Sequence, residues 1–399
     1  MSLEFNHYKI NDIGKVVSGG TPSTSKNEYW YGDISWITPK DLSSYENIYI
    51  SKGERNISQD GLNNSSAKLV PKNTVLMTSR APIGYIAIAD NELSTNQGFK
   101  SLICNENLCH YKYFYYWLKM NIKYIINNSN GSTFKEISGR TFKNLEISLP
   151  TINEQKRISN ILWNIDEKIS LLKKINKNLE ELMHVLFKKY FIDNNPFYVE
   201  NDENWNIIKL KDLIIRNRDK INDFDNWKDE LLIDLSNMPR FSIAISNFDK
   251  GKKFTSNIYK LNKYDLLFGS IRPYFGKVGF SPINGVVTGT VHSFKPIDDI
   301  YYSLVLSLIS SKTFINYTVS VSKGTKMPSV KWDDFINYEF AIPDDLSKIG
   351  EYNKILLPLI HKIEKNILEI QRLTKLRDTL LPKLMSGEID VSEVNCDLE

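Results

Sequence analysis

The 399-residue chain is written twice, and any fold it adopts has to accommodate two copies of one pattern. The stretch NGSTFKEISGRTFKNLEISLP, from Asn130 to Pro150, aligns without gaps against KGTKMPSVKWDDFINYEFAIP, from Lys323 to Pro343. The offset is a constant 193 residues, the separation of Pro150 from Pro343. Identical pairs are Gly131 and Gly324, Phe142 and Phe335, Asn144 and Asn337, Glu146 and Glu339, and Pro150 and Pro343. Upstream, YKINDI from Tyr8 echoes IKLKDL from Ile208, and LMTSRAPIG from Leu76 echoes LFGSIRPYFG from Leu267 with a slip of one residue. The echoes come in the same order in both halves.

Each copy ends in a helix start. In LPTINEQKRISNIL, from Leu149 to Leu162, Pro150 stops what precedes it, and Thr151 with Glu154 forms a capping box. IPDDLSKIGEYNKIL, from Ile342, is a weaker version of the same signal. Heptad stripes follow both starts. In the first, Ile161, Ile165, Leu172, Ile175, Leu179, Leu182 and Leu186 fall at four- and three-residue steps, with Lys168 breaking the series. In the second, Leu356, Leu359, Ile363, Ile370, Leu373, Leu380 and Leu384 do the same, with Asn366 and Arg377 as exceptions. So narrow a stripe predicts a coiled-coil seam, and the parsimonious partner of each helix is the other. Polar interruptions of this kind fix register and partner at some cost in stability. The plainer alternative is two amphipathic helices, each packed on its own domain.

Short strand-like runs are predicted at Thr74 to Met77, Ile83 to Ile88 and Leu145 to Leu149, then at Asp265 to Phe268, Val286 to Val291 and Tyr338 to Ile342. Apolar helical patches run from Tyr111 to Ile126 and from Tyr301 to Tyr317. The mixture is no regular βαβα alternation, so the expected class is α+β, two pseudo-repeated α/β domains separated by two long helices forming an antiparallel coiled coil. The expected boundaries are a first domain over 1–150, a helix over 151–192, a linker over 193–205, a second domain over 206–343, a helix over 344–387 and a tail over 388–399.

Several function classes are disfavoured. The 41% hydrophobic content is ordinary for a soluble protein, and a formal net charge of +4 permits an anionic partner without demanding one. Cys104, Cys109 and Cys396 are too few and too unevenly spaced for a disulfide framework or a zinc ribbon, which points to a reducing compartment, by default the cytoplasm. The N-terminus lacks an apolar h-region, and the longest uncharged run, Val278 to Phe294, is broken by glycine and proline, so neither secretion nor membrane insertion is expected. There is no GxxxxGK[ST], GxGxxG, GxSxG or HExxH motif. NNPF at Asn194 to Phe197 reads as a linker turn, and His7, His110, His184, His292 and His361 are scattered without ligand spacing, so no metal site is expected.

Basic side chains on glycine- and proline-bearing loops are the candidate recognition groups. In the first copy these are Lys26, Lys40, Arg55, Arg80, Lys135 and Arg140, with Tyr29, Trp30 and Tyr31 interleaved. In the second they are Arg240, Lys252, Lys253, Arg272, Lys277, Lys323, Lys326 and Lys331. Such groups neutralise phosphates, and arginine takes guanine edges bidentately in the major groove. Arg80 near Pro82 and Arg272 beside Pro273 are expected at corresponding places in the two repeats.

GGTPSTSKNEYWYGDISWITPKDL from Gly19, SRAPIG from Ser79, NQGFKSL from Asn96, LPTINEQKRISNIL from Leu149 and LLPKLMSGEIDV from Leu380 together resemble the specificity (S) subunit of type I restriction–modification systems. The resemblance spans essentially the whole chain, although the second domain has IIRNRDK from Ile214 where the first has its GGTPS loop, and SKIGEY in place of EQKRI. It implies a non-catalytic subunit whose two target recognition domains each read one half of a bipartite double-stranded DNA target. The helices would act as a spacer and dock methyltransferase (M) subunits, two per chain, and restriction/translocase (R) subunits would complete the assembly. S-adenosylmethionine, ATP and Mg would belong to those partners, with no cofactor in this chain and defence against foreign DNA as the role. A helix of about 38 residues is ~57 Å long at ~1.5 Å per residue, enough to exceed one ~34 Å turn of DNA. The alternative is a coiled-coil scaffold with two protein- or glycan-binding domains. Salt-dependent DNA binding separates the two readings.

Overall fold

The computed structural model describes residues 4–43, 45, 47–131, 135–193, 205–253 and 257–391. The NNPF tetrapeptide, most of the expected linker and tail, and Cys396 lie outside the described residues. The chain divides into two compact units, one of residues 1–168 with 375–399 and one of residues 169–374, so each holds one copy of the repeat and part of both long helices.

In the first unit, Asn6–Lys9 pairs antiparallel with Glu146–Leu149, which brings the start of the domain to the foot of the long helix. One sheet runs in the order Gly14–Ser18, Lys100–Cys104, Val75–Ser79, Ile83–Ala89, Tyr49–Ile50. Every residue of Val75–Ser79 is buried, which is why this strand reads as a continuous run rather than an alternation. The second sheet runs Arg55–Ile57, Trp30–Ile37, Leu93–Thr95, Leu69–Val70, with Trp30–Ile37 and Leu93–Thr95 parallel. Helix Tyr111–Asn127 buries Tyr113, Phe114, Tyr116 and Leu118 in a core shared with Val75, Met77 and Ile88. Cys104 and Cys109 are free thiols.

The second unit repeats this plan. Trp205–Lys209 pairs antiparallel with Glu339–Pro343. A first sheet has the order Ile214–Arg216, Val291–Pro296, Leu266–Gly269, Val278–Phe280. A second has the order Lys220–Ile221, Ile258–Leu261, Gly285–Thr288, Leu231–Ile233, Asp249–Lys250, again with a single parallel pairing, here Leu231–Ile233 with Gly285–Thr288. Equivalent backbone bonds recur in the two units, with donors at the repeat offset and acceptors two residues short of it. Ile137 N–H donates to the Ser79 carbonyl at 3.0 Å, and Val330 N–H to the Ser270 carbonyl at 2.9 Å. Bridges join Asn130 with Glu136 in one unit and Lys323 with Ser329 in the other. The duplication is therefore one of topology, carried through stretches where few residues are identical.

Three expectations are corrected. Val286 to Val291 is no single strand: Gly289 and Thr290 turn the chain between Gly285–Thr288 and Val291–Pro296. The patch from Tyr301 to Tyr317 is two helices, Tyr302–Ser310 and Lys312–Ser320. They are broken at extended Ser311, whose Oγ accepts from Phe314 N–H at 3.2 Å as the N-cap of the second. Arg80 and Arg272 are not equivalent. Ser79 matches Ser270, so Ile271 stands at the place of Arg80, and Arg272 takes the left-handed position (φ 51°) held by Ala81 (φ 53°) in the first unit.

The first long helix runs unbroken from Ile152 to Phe187, 36 residues, and the second from Leu346 to Met385, 40 residues. The capping box is present: Thr151 N–H donates to Glu154 Oε2 at 2.9 Å, and Glu154 N–H reaches Thr151 Oγ1 at 3.4 Å. The second start is simpler, with Asp345 Oδ1 accepting from Ser347 N–H at 2.9 Å.

The seam of the first helix is displaced by one residue from the expected one. Ile158, Leu162, Asp166, Ile169, Leu172, Asn176, Glu180, Met183 and Phe187 form the buried stripe, with Gln155, Ser159 and Trp163 buried besides. Of the expected seam residues only Leu172 joins them; Ile161, Ile165, Ile175, Leu179 and Leu186 are half-buried, and Leu182 is 45% exposed. The cause is chemical: Asp166, Asn176 and Glu180 occupy heptad positions that a search for apolar residues skips. In the second helix Leu356, Ile363, Ile370, Leu373 and Leu384 are buried, Leu359 and Leu380 half-buried, and fully buried Ile360 takes the place expected of Leu359.

Within the first unit, Ile158 and Leu162 share a core with Leu384 and Met385, and Asp166 accepts from Arg377 Nη1 at 2.6 Å. Within the second, Phe191 meets Tyr352 with ring centroids 4.9 Å apart, and Asn176 meets Asn366. In each unit, later residues of one helix thus face earlier residues of the other. Among the described residues no helix is long and apolar enough to cross a membrane.

Candidate nucleic-acid interface

Two tryptophans of the strand Trp30–Ile37 brace the loop at Gly20 and Ser23 in the first unit. Trp36 Nε1 donates to the Gly20 carbonyl at 2.9 Å and Trp30 Nε1 to the Ser23 carbonyl at 3.1 Å, with the rings edge to face at 5.1 Å. The loop lies so close to the scaffold that a Cβ on Gly19 would stand 2.0 Å from the Thr95 carbonyl oxygen, which is why glycine is needed there. On this base the guanidinium of Arg55 lies 3.5 Å over the Trp30 ring, and Lys26 Nζ donates to the Tyr29 hydroxyl at 3.0 Å. A guanidinium over a ring retains N–H donors able to take a phosphate or a base edge.

The other first-unit candidates divide. Lys40 pairs with Glu54 at 2.7 Å on the exposed surface. Arg80 lies 3.6 Å from Glu136, and with Lys135 the two line an open hollow of about 550 Å³ beside Pro82. Lys135 and Arg140 are exposed. Lys100, in the NQGFKSL stretch, was not singled out by the sequence, yet it is buried, and burial lowers its ammonium pKa. Its Nζ donates to the Phe99 carbonyl at 3.3 Å.

The second unit reaches a similar chemistry by different residues. Arg240 lies 3.9 Å over Phe275, and Lys252, Lys323, Lys326 and Lys331 are exposed. Lys253 pairs with Asp249 at 2.6 Å and Asp234 at 3.7 Å, and Lys277 donates to the Leu235 carbonyl, so both brace the fold. Arg272 is half-buried, and its N–H donates to the Pro328 carbonyl at 2.7 Å. The arginines missed by the sequence reading are Arg216, 4.4 Å over Trp332, and Arg218, 5.6 Å over Tyr259. The available signal was the Arg-x-Arg of IIRNRDK, which stands where the first copy has its glycine loop. Behind them His292 is buried with a ring nitrogen 3.1 Å from the Val330 carbonyl, and burial pushes its imidazole down to about 4, so it is neutral at physiological pH. Among the described residues no cluster of His, Cys, Asp and Glu is able to hold a metal.

The scaffold is duplicated and α+β, with arginines over aromatic rings at strand ends and in loops and a long helix leaving the corresponding strand pair of each copy. Residues 3–181 match the family described as type I restriction modification DNA specificity domain. The chain is 36% identical to the type I restriction enzyme MjaIX specificity subunit of Methanocaldococcus jannaschii, over 97% of its own length and 94% of that protein's. It is 30% identical to the EcoR124I/EcoR124II specificity subunit of Escherichia coli over 45% of each chain. Its fold matches the crystal structure of the type I restriction–modification S subunit from M. genitalium with a TM-score of 0.60 at 18% identity, over 96% of both chains. The chain belongs to the family of type I restriction enzyme specificity subunits.

Proposed function

We propose that the chain is the DNA-reading subunit of a type I restriction–modification complex, with each repeat reading one half of a bipartite duplex target. The observation that carries this reading is the repeated topology: apart from one added edge strand in each copy, corresponding strand pairings and the same bridge recur, while the side chains on the loops differ. A scaffold kept constant under changed loops suits two readers of different sequences. The two long helices, paired as an antiparallel coiled coil, serve as the spacer and as the dock for methyltransferase subunits, and restriction subunits join through these. The chain itself is non-catalytic; S-adenosylmethionine, ATP and Mg are bound by the partners.

The arginines beside aromatic rings support DNA over a protein or glycan ligand, because a guanidinium pairs bidentately with phosphate and guanine edges. The test is long-read methylome sequencing of cells with and without this chain. Loss of one bipartite methylated motif is expected, and the motif persisting intact in the deletion strain sinks the reading.

A further inference from the structure

Tyr31 is 89% exposed, far above any other large hydrophobic side chain among the described residues, and its backbone is left-handed at φ 63°. It sits where the pairing of Trp30–Ile37 with Arg55–Ile57 slips between Trp30 and Ile34, a bulge of the kind that re-aims side chains. A bulky residue in the left-handed region is strained, and such outliers concentrate at ligand clamps. The surroundings hold the strain in place. Gly32 packs so tightly that a Cβ there would stand 2.4 Å from the Ser58 Cα, and Trp30 is locked between Arg55 and Trp36. A rigid base therefore presents one aromatic ring to solvent.

Cations stand over the two aromatics that precede it in the chain. Arg55 lies over Trp30 and Lys26 over Tyr29, whose hydroxyl also accepts from the Lys26 Nζ at 3.0 Å; neither cation forms a salt bridge among the described residues. A projecting ring that directly follows two cation-bearing aromatics, Tyr29 and Trp30, matches a polyanion that carries stackable rings. Phe241 in the second unit is also left-handed and exposed, but its ring lies over Gly276, 2.6 Å from where a Cβ would stand, so it is packed and does not share the role.

We propose that Tyr31 is a wedge that stacks on a base of the target half-site, inserting at one base step while Arg55 and Lys26 neutralise the adjacent phosphates. This rests on the DNA-reading function above and adds to it a residue that deforms the duplex, so that specificity comes partly from how readily a step unstacks.

The test uses the complex of this chain with its methyltransferase subunits and a duplex carrying its methylated motif, with 2-aminopurine placed at successive positions of the half-site. A rise in fluorescence at one step is expected for the native chain, retained in Tyr31→Phe and lost in Tyr31→Ala. Affinity should fall about 5- to 150-fold in Tyr31→Ala with the salt slope unchanged, because stacking releases no counterions. Arg55→Ala should instead lower the slope by about 0.9. Tyr31→Gly relieves the backbone strain and should fold at least as well, yet bind as weakly as the alanine variant. Native-like affinity and an undiminished signal in Tyr31→Gly overturn the wedge while leaving DNA reading intact. A native complex that does not distinguish its motif from unrelated duplex overturns both.

Discussion

Asn366 Nδ2 donates to Asn176 Oδ1 at 2.7 Å, with both amides almost sealed from water between the two helices of the second unit. Removing one partner leaves the other buried without its bond, which costs about 1–3 kcal/mol. Asn366→Ala or Asn176→Ala alone should therefore lower stability by that amount in a denaturant titration. The double variant to leucine removes both polar groups and should recover most of the loss, at the expense of a uniquely specified register. A double variant less stable than either single one would show that the amides are held by something other than each other.

The charged counterpart lies in the first unit. Arg377 Nη1 donates to Asp166 Oδ1 at 2.6 Å, and the Tyr116 hydroxyl donates to Asp166 Oδ2 at 2.8 Å. Desolvation opposes the guanidinium charge, but the Asp166 carboxylate outweighs it and raises the Arg377 pKa. Arg377→Leu strands a buried carboxylate and should destabilise by about 3–5 kcal/mol, with Asp166→Asn in the same chain returning part of it. Chemical denaturation of the two singles and the double measures the coupling. A loss below about 1 kcal/mol for Arg377→Leu would place the pair among solvent-screened ions.

Glu180 sets a pH dependence. It is buried on the first helix, and although Ser242 Oγ donates to it at 2.8 Å and Ile243 N–H at 3.1 Å, desolvation prevails and pushes its carboxyl up to about 7. The folded state thus binds a proton that the unfolded state, with the ordinary carboxylate value, releases. The contribution to stability is complete below about pH 4.5 and is lost as pH rises through about 7, an upper bound of about 3 kcal/mol across that window. Glu180→Gln should flatten the fall in stability between pH 5 and 8, read from melting temperatures at each pH. An unchanged slope would mean that Glu180 stays ionised throughout.

The architecture was legible where local chemistry and fold agree. The offset of 193, the Thr151–Glu154 capping box and the apolar helix at Tyr111 all read directly from the letters and recur in the coordinates. Apolarity alone does not mark the seam, because Asp166, Asn176 and Glu180 are buried by virtue of partners more than sixty residues away or on the other helix. The same limit applies to the loops. Lys40 and Lys253 look like free cations in sequence, but their carboxylate partners are supplied by folding, while Arg216 draws its meaning from a ring, Trp332, that only tertiary structure brings near.

The central claim is that two structurally repeated units read DNA independently, and it is tested most directly by exchanging residues 1–150 for the corresponding domain of another specificity subunit and sequencing the methylome. One half of the methylated motif should change to that of the donor, with the other half and the gap retained. A motif altered in both halves, or in neither, would contradict the account.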